Sequence, residues 1–416
     1  MKVIHLSNSD IGGAGRATLR IHKSLLEIGI NSEMWVNVSK TNEKTVIHPE
    51  NKIEKFLIFL RRNSKKPLLK LLRTKNQILH SPSILPSSWI KKINDSDADV
   101  VNLHWIQHEM LSISDISKIK KPIVWTLHDM WGFCGAEHIS WDDRWQLGYS
   151  NINRPSHESG FDLNKWTWLR KVKYWKNPIQ IITPSAWLTD CVKKSKLMQS
   201  WPCKTVPNLI DTEIWKPADK NFVRKELNFP KNDFILAFGS FHANQEHHKG
   251  FDLLLEALQK VQNANLIKFH LIIFGQKKTQ KKLSLNIPFH DLGYLNDAKL
   301  QKLYSAVDAV VVPSRIESFS QVASEASACG TPVVSFNTSG LKDVIIHHFT
   351  GYLAKKFDTD DLSKGIEWVL KNSETKQLGY NARKHVINNF SSKVVAKKYF
   401  EIYQEVLKKC IFNETI

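Results

Sequence analysis

Short β-branched apolar runs alternate along this chain with longer stretches whose apolar residues fall three and four apart. The first forty residues read as strand, glycine-rich loop, helix and strand: Val3-Ile4-His5-Leu6, then Gly12-Gly13-Ala14-Gly15, then helical spacing over 16–28, then Met34-Trp35-Val36. That order predicts a βαβ opening. Further strands are predicted at 99–104, 122–128 and 179–183, each a run of the kind buried on both faces of a parallel sheet. Prolines at 202, 207 and 217 crowd the next segment, as in a crossing between domains. Beyond it, strands at 234–239, 269–275, 309–313 and 332–336 alternate with helices at 252–262, 297–305 and 320–328. The pattern predicts an α/β protein with two doubly wound domains, 1–205 and 206–392, and a last segment, 393–416, that carries a helix over 393–409.

One stretch stands outside this alternation. Residues 52–75 hold nine basic side chains against the single acidic Glu54, and Ile53, Phe56, Leu57 and Leu60 recur at helical spacing. The segment reads either as a solvated helical insertion or as an interfacial helix pair on an anionic membrane.

With 416 residues the chain is too long for one ordinary core, and 42% hydrophobic with 24% charged residues is the composition of a packed globular protein. Lys plus Arg total 59 against 40 Asp plus Glu, a net +19 that must attract something acidic: nucleic acid, anionic headgroups or phosphorylated substrates. Five scattered cysteines form no Cys-x-x-Cys pair, which suits a reducing, cytoplasmic setting rather than a disulfide scaffold. The opening apolar run is broken at once by Ser7, Asn8 and Asp10, so no secretory signal is expected, and the apolar stretch 56–60 falls far short of the ~20 residues a bilayer span requires.

The densest chemistry lies in 313–332. Ser318 and Ser320 are good caps for a helix that closes at Gly330 and Pro332. A helix N-terminus at the carboxyl end of a strand in an open α/β sheet favours anionic ligands, because its free N–H groups and dipole point there. Glu317 precedes that helix and Glu325 lies inside it. Both make sense if they accept hydrogen bonds from sugar hydroxyls while the N–H groups hold a diphosphate.

Glu317-x7-Glu325 followed by Ala326-x-Ala328-Cys329-Gly330-Thr331-Pro332-Val333-Val334 resembles the signature of family 4 retaining nucleotide-sugar glycosyltransferases. Supporting matches are Gly12-Gly13-Ala14-Gly15-Arg16, Thr126-Leu127-His128-Asp129, Val206-Pro207-Asn208 with Asp211, Lys249-Gly250-Phe251, and Leu292-Gly293-Tyr294 before Asp308 and Pro313-Ser314. The resemblance implies a GT-B fold: two Rossmann-like domains facing across a cleft, the last helix packing back on the first. It implies transfer of a hexose-type sugar, with retention, from a nucleoside diphosphate sugar to a glycan or lipid-linked hydroxyl. Capsule, O-antigen or exopolysaccharide synthesis would be the setting, at the inner face of the cell membrane. Glu325 then corresponds to the residue that holds the ribose hydroxyls, and Glu317 to the one facing the donor sugar. The N–H groups of Ser318, Phe319, Ser320, Gln321 and Val322 would contact the diphosphate, and Lys249 would neutralise it as it leaves. His128 corresponds to a histidine near the anomeric centre. Gly13 and Gly15 correspond to a loop whose backbone approaches diphosphate and acceptor, and Gly15 also suits a close-packed backbone. No cofactor and no metal are implied.

The chain departs from the family pattern in places. No arginine precedes Lys249 within 240–248, where His248, when protonated, could substitute. The Glu-Gly-Phe-Gly opening is replaced by Glu317-Ser318-Phe319-Ser320. The loop 132–138 after Trp131 resembles surface-polysaccharide members. Two metal patterns, Asp95-Ser96-Asp97 and the donors His242, Glu246, His247 and His248, read as ordinary loop residues. The rival readings are a same-fold nucleotide-sugar epimerase or phosphorylase and, from another class, a basic nucleic-acid-binding protein. Against the latter, the charge is spread and no DNA or RNA module is legible.

Overall fold

The computed structural model describes residues 1–239, 246–264, 267–275, 287–373 and 377–414. It divides into two units, Met1–Pro207 with Val395–Ile416, and Asn208–Val394. Each is built on one all-parallel sheet.

The first unit has strands β1 (Lys2–Ser9), β2 (Asn31–Val38), β3 (Val46–Ile47), β4 (Val100–Leu103), β5 (Ile123–Thr126), β6 (Gln180–Thr183) and β7 (Cys203–Thr205), in the order β3-β2-β1-β4-β5-β6-β7. The order in which strands are added reverses between β1 and β4, parallel neighbours in which Val3 pairs with Val100 and Leu6 with Leu103. Such a reversal leaves a crevice at the strands' carboxyl ends, the usual ligand position in a doubly wound sheet. The core here is rich in tryptophan: Trp125 meets Trp175 edge-on at 5.1 Å and Trp131 at 6.2 Å, beneath Leu103, Ile106 and Ile181. The terminal helix Ser392–Glu414 is tied to this sheet through Val395 and beyond. Its Tyr403 hydroxyl accepts from Asn102 Nδ2 at 2.7 Å, and Tyr399 lies 3.4 Å from Thr126 Oγ1.

The second unit has β8 (Phe234–Gly239), β9 (Phe269–Phe274), β10 (Phe289–Gly293), β11 (Ala309–Val312), β12 (Val333–Phe336) and β13 (Gly351–Ala354), ordered β10-β9-β8-β11-β12-β13. Strand side chains alternate between faces, so each run feeds two cores. Ile235, Ala237, Ile272, Val310 and Val312 pack against helices Asp297–Ala306 and Gln321–Ala328. Leu236, Phe238, Leu271, Ile273 and Val311 pack against Phe251–Asn263 and Thr359–Ser373. Double burial explains why these strands read as continuous apolar runs.

Four strands of the two sheets escape the sequence pattern, the first of them the two-residue Val46–Ile47. Phe289–Gly293 is an edge strand with half-buried or exposed polar residues, Gly351–Ala354 opens on glycine, and Cys203–Thr205 sits within the proline-rich crossing. Residues 52–75 form helices Lys52–Ser64 and Lys66–Leu71 and then the strand Leu72–Arg73, which pairs with Ser159–Gly160. All five cysteines are free, and no described helix is long and apolar enough to cross a membrane.

Candidate functional site

In the second unit the reversal falls between β8 and β11. Past β11 the chain runs through Pro313 and Ser314 to Glu317, then enters the helix Gln321–Ala328. From the β8 side a short 3₁₀ turn, His247–Lys249, delivers Lys249 to the same place. Lys249 Nζ donates to Glu317 Oε1 at 2.8 Å, and Ser314 Oγ donates to the same oxygen at 3.0 Å. The Glu317 backbone is pinned too: its N–H donates to Ser339 Oγ at 3.0 Å and its C=O accepts from Gly340 N at 2.9 Å. Gly250, at φ +70°, makes the approach possible, since a Cβ there would fall 1.9 Å from the Pro313 oxygen. Arg315 braces the Lys249 turn. Its N–H donates to His248 O at 2.7 Å, and its guanidinium spans Asp252 at 2.8 and 2.6 Å while also reaching His247 O.

Burial opposes charge on both partners of the central pair, yet each rescues the other. The Glu317 carboxylate and its hydrogen bond carry the Lys249 ammonium above the ordinary lysine range. Lys249, by its charge and its hydrogen bond, together with the hydrogen bond from Ser314, holds the Glu317 carboxyl below the usual carboxylate range. His248 is pushed down, first by burial and then by Lys249, so it is a neutral imidazole at neutral pH rather than a second cation.

The helix beyond Glu317 begins under strain. Ser320 is its N-cap at φ +83°, and its side chain accepts from Ala323 N at 3.4 Å. Ser318, Gln321 and Val322 are half-buried, whereas Phe319 is buried edge-on against Phe390 at 5.1 Å. Glu325 is buried within the helix. Lys249, Glu317 and the Ser318–Val322 entrance therefore share one end of this sheet, with Glu325 one turn in.

The first unit presents a different surface at its reversal. Helix Gly12–Glu27 starts on the glycines: a Cβ at Gly15 would lie 2.4 Å from Ser9 O, while one at Gly13 would meet nothing within 4 Å. Asp10 locks the loop by accepting from Lys40 N at 2.9 Å, Thr41 N at 3.0 Å and Ser39 Oγ at 2.7 Å. His128, half-buried, lies just past β5, with its Nε2 3.0 Å from His104 Nδ1. Beside it, Asp129 takes Trp105 Nε1 at 2.9 Å, His138 Nδ1 at 2.6 Å and Trp131 N at 2.9 Å. The loop after Trp131 is held by fully buried Lys171, which donates to the carbonyls of Trp131, Cys134 (3.0 Å) and Gly135 (2.7 Å) and lies 3.9 Å over the Trp131 ring.

Trp131, Cys134 and Gly135 therefore wrap the Lys171 amine with backbone oxygens, and burial lowers its pKa to about 7. Asp97 is taken up by Lys2 at 2.7 Å; Glu246 and His247 bound the Lys249 turn, and His242 lies outside the described residues. His104, His5 and Lys171 have no counterpart among the residues singled out by sequence. The signal was faint: a histidine in or just after each of three predicted strands.

Residues 219–385, all within the second unit, match the family described as glycosyl transferases group 1. An uncharacterised glycosyltransferase of Methanocaldococcus jannaschii is 31% identical over 166 residues, 38% of this chain and 42% of that one. The N-acetyl-alpha-D-glucosaminyl L-malate synthase of Bacillus anthracis is 29% identical over 223 residues, 53% and 56% of the two chains. The chain thus spans about half the length of these curated relatives. Among solved structures, Anabaena HepE in complex with UDP and glucose superposes with a TM-score of 0.65 at 17% identity, over 97% of this chain and 99% of that one. The fold is the α/β GT-B fold of two Rossmann-like domains.

Proposed function

We propose that this protein is a glycosyltransferase that moves a hexose-type sugar, with retention, from a nucleoside diphosphate sugar to a hydroxyl of a glycan or lipid-linked acceptor. The observation that carries the reading is the Lys249–Glu317 pair beside the entrance of helix Gln321–Ala328. An incoming diphosphate competes with Glu317 for Lys249 and finds the N–H groups of residues 318–322 next to it. Glu317, released, is an acceptor for hydroxyls of the donor sugar, and Glu325 for those of the ribose. As the glycosidic bond breaks, charge grows on the diphosphate, and a preorganised ammonium and helix dipole stabilise it without reorganising. Lys249 and the N–H groups supply the positive field that a divalent ion supplies in other transferases. By the same family resemblance, His128 of the first unit is the residue assigned to the donor sugar. Incubation with a panel of UDP, GDP and ADP sugars in chelator, with product anomers read by NMR, tests the reading. Inverted product, or turnover only with magnesium or manganese, would refute it; phosphate-dependent cleavage or C2 epimerisation would put the same-fold rival in its place.

The basic insertion favours work at an anionic membrane in the synthesis of a surface glycan. Helix Lys52–Ser64 is turned the opposite way from a core helix. Glu54, Ile58, Arg61 and Lys65, one stripe at helical spacing, face the protein. Arg61 donates to the carbonyls of Glu109 at 2.7 Å and Leu85 at 3.0 Å, Lys65 lies 2.9 Å from His108, and Glu54 pairs with Lys92. The apolar stripe looks outward, with Ile53 67%, Phe56 58%, Leu57 52% and Leu60 47% exposed. Lys52, Lys55, Arg62, Lys66 and Lys70 are exposed with it. Each basic residue near an anionic surface contributes about 1 kcal/mol, and shallow insertion of the apolar stripe adds to it. Flotation with anionic vesicles should be strong, fade as salt is raised, and fall when Lys52, Lys55, Arg62 and Lys66 become Ser. Equal recovery on zwitterionic vesicles would refute membrane attachment.

A further inference from the structure

Three histidines from neighbouring strands of the first sheet touch in a row. His5 lies in β1, His104 directly follows β4 and His128 follows β5. His5 Nδ1 is 2.9 Å from His104 Nε2, and His104 Nδ1 is 3.0 Å from His128 Nε2. The ring centroids are spaced 5.2 and 5.3 Å. His5 and His104 are fully enclosed, and the inner end of the row, His5 Nε2, has no hydrogen-bond partner among the described residues. The neighbouring His22 ring is held elsewhere, by Ser32 Oγ at 2.7 Å and Thr45 Oγ1 at 2.8 Å, and the Tyr403 hydroxyl is taken by Asn102.

Burial pushes all three imidazoles below their ordinary pKa, His128 to about 4, so near neutral pH each carries one proton. Two contacts between three neutral rings can be satisfied in only two ways. In one, His128 donates from Nε2 to His104, His104 donates to His5, and His5 is left with its proton on the buried, unpartnered Nε2. In the other, His5 donates from Nδ1, His104 donates from Nδ1, and His128 accepts at Nε2 and carries its own proton on Nδ1. Orphaned buried N–H groups are rarer than under-used acceptors, and the second arrangement leaves only a lone pair at the dead end.

We propose that His104, closed off behind by His5, is a positioning residue that fixes His128 in the Nδ1–H tautomer, so that the nitrogen His128 has left for a ligand is a hydrogen-bond donor and not a base. The hydrogen bond at one ring nitrogen decides which proton the other keeps. Applied to the reaction, this rests on the transferase reading and gives His128 the job of donating to an oxygen of the bound sugar. The tautomer itself does not depend on that reading.

The test is long-range ¹⁵N–¹H NMR of the full chain with ¹⁵N-histidine, His128 being assigned by its loss in His128→Gln. The wild-type spectrum should show a protonated Nδ1 and an unprotonated Nε2 for His128; the reverse pattern would overturn the proposal. In His104→Leu the donor to His128 Nε2 is lost, and His128 should move toward Nε2–H, the tautomer that an unconstrained imidazole prefers. Turnover should follow the tautomer, falling on the order of tenfold in His104→Leu with donor KM little changed. An unchanged His128 tautomer in His104→Leu would also overturn the relay. Should His104→Leu fail to fold, the wild-type spectrum alone decides. These spectra read the tautomer whether or not any sugar nucleotide is turned over, so failure of the relay and failure of the transferase reading are told apart.

Discussion

Both sheets run outward from their first strand, return to its other side, and gather reactive side chains at that reversal, but they do so with opposite electrostatics. The first unit lines the reversal with imidazoles that burial has stripped of charge. The second keeps a formal ammonium and carboxylate there by setting them 2.8 Å apart. A histidine can shed its charge within the physiological range and accept burial, whereas a lysine in the same position needs a counterion or a large pKa shift. One reversal is therefore suited to neutral hydrogen bonding, and the other to meeting a dianion that displaces Glu317.

Acid should separate the two units most. In the first, His5 and His104 lie well below the ordinary histidine pKa, His22, His80 and His128 are lowered to about 4 and His108 to about 3, in each case chiefly by burial. A folded pKa below the unfolded value means that the unfolded chain binds protons first. The stability is present above about pH 6.5 and is lost as pH falls toward 4, at roughly 1.4 kcal/mol per pKa unit for each group. The second unit's lowered histidines, His248, His290, His347 and His385, are shifted less far by burial, and the stability that Glu317 and Asp252 contribute through their lowered carboxyl pKa values is lost only once pH falls into the ordinary carboxylate range. Twelve of the 14 tryptophans precede residue 208, so intrinsic fluorescence reports the first unit almost alone. Its transition should begin near pH 6, before amide exchange rises in β8, β9 and β11. Simultaneous loss of both units above pH 5 would erase the contrast.

Next in size is Lys249→Ala, expected to lower turnover by roughly two decades or more, the scale of removing a preorganised contact to developing charge. It also strands the Glu317 carboxylate, which destabilises on its own account. The double variant Lys249→Met/Glu317→Gln separates the two effects: thermal stability should return while turnover does not. Wild-type turnover in Lys249→Ala would remove the charged half of the comparison. Glu325→Ala should be milder, weakening nucleoside diphosphate affinity about tenfold to a hundredfold, as for loss of a charged hydrogen-bond acceptor. Calorimetry with UDP, GDP and ADP measures it, and unchanged affinity for all three would exclude a ribose role.

What the sequence disclosed follows from the same physics. Strands buried on both faces, such as Ala309–Val312 and Val333–Phe336, are visible because burial on both sides forces every position to be apolar. The edge strands Phe289–Gly293 and Gly351–Ala354 are not, because an edge tolerates polar residues and glycine. Lys249 and Glu317 are 68 residues apart and were linked only through resemblance to a family. The His5–His104–His128 row was invisible because it depends on β4 inserting between β1 and β5, a matter of topology. Arg61 and Lys65 read as two more surface charges, and only their hydrogen bonds to Glu109, Leu85 and His108 show that they are anchors.

The smallest expected effect concerns how each unit starts the helix that follows the strand at its reversal. The first uses glycine where geometry demands it: Gly12 takes φ +76° and Gly15 leaves room for Ser9 O. The second places Ser320 at φ +83° and ψ 97°, a conformation that side-chain-bearing residues rarely adopt and that costs on the order of 1–3 kcal/mol. Serine returns little of that as a cap, since its bond to Ala323 N is a long 3.4 Å and replacing a serine cap by glycine costs only about a few tenths of a kcal/mol. Glycine adds roughly 0.5–1 kcal/mol of chain entropy to be lost on folding. Ser320→Gly should therefore stabilise the second unit by about 0.5–1.5 kcal/mol, a rise of a few degrees in Tm, and leave the acid transition of the first unit where it was. Destabilisation by more than about 0.5 kcal/mol would mean that the entrance is relaxed with serine in place, and that the two units differ there in sequence but not in strain.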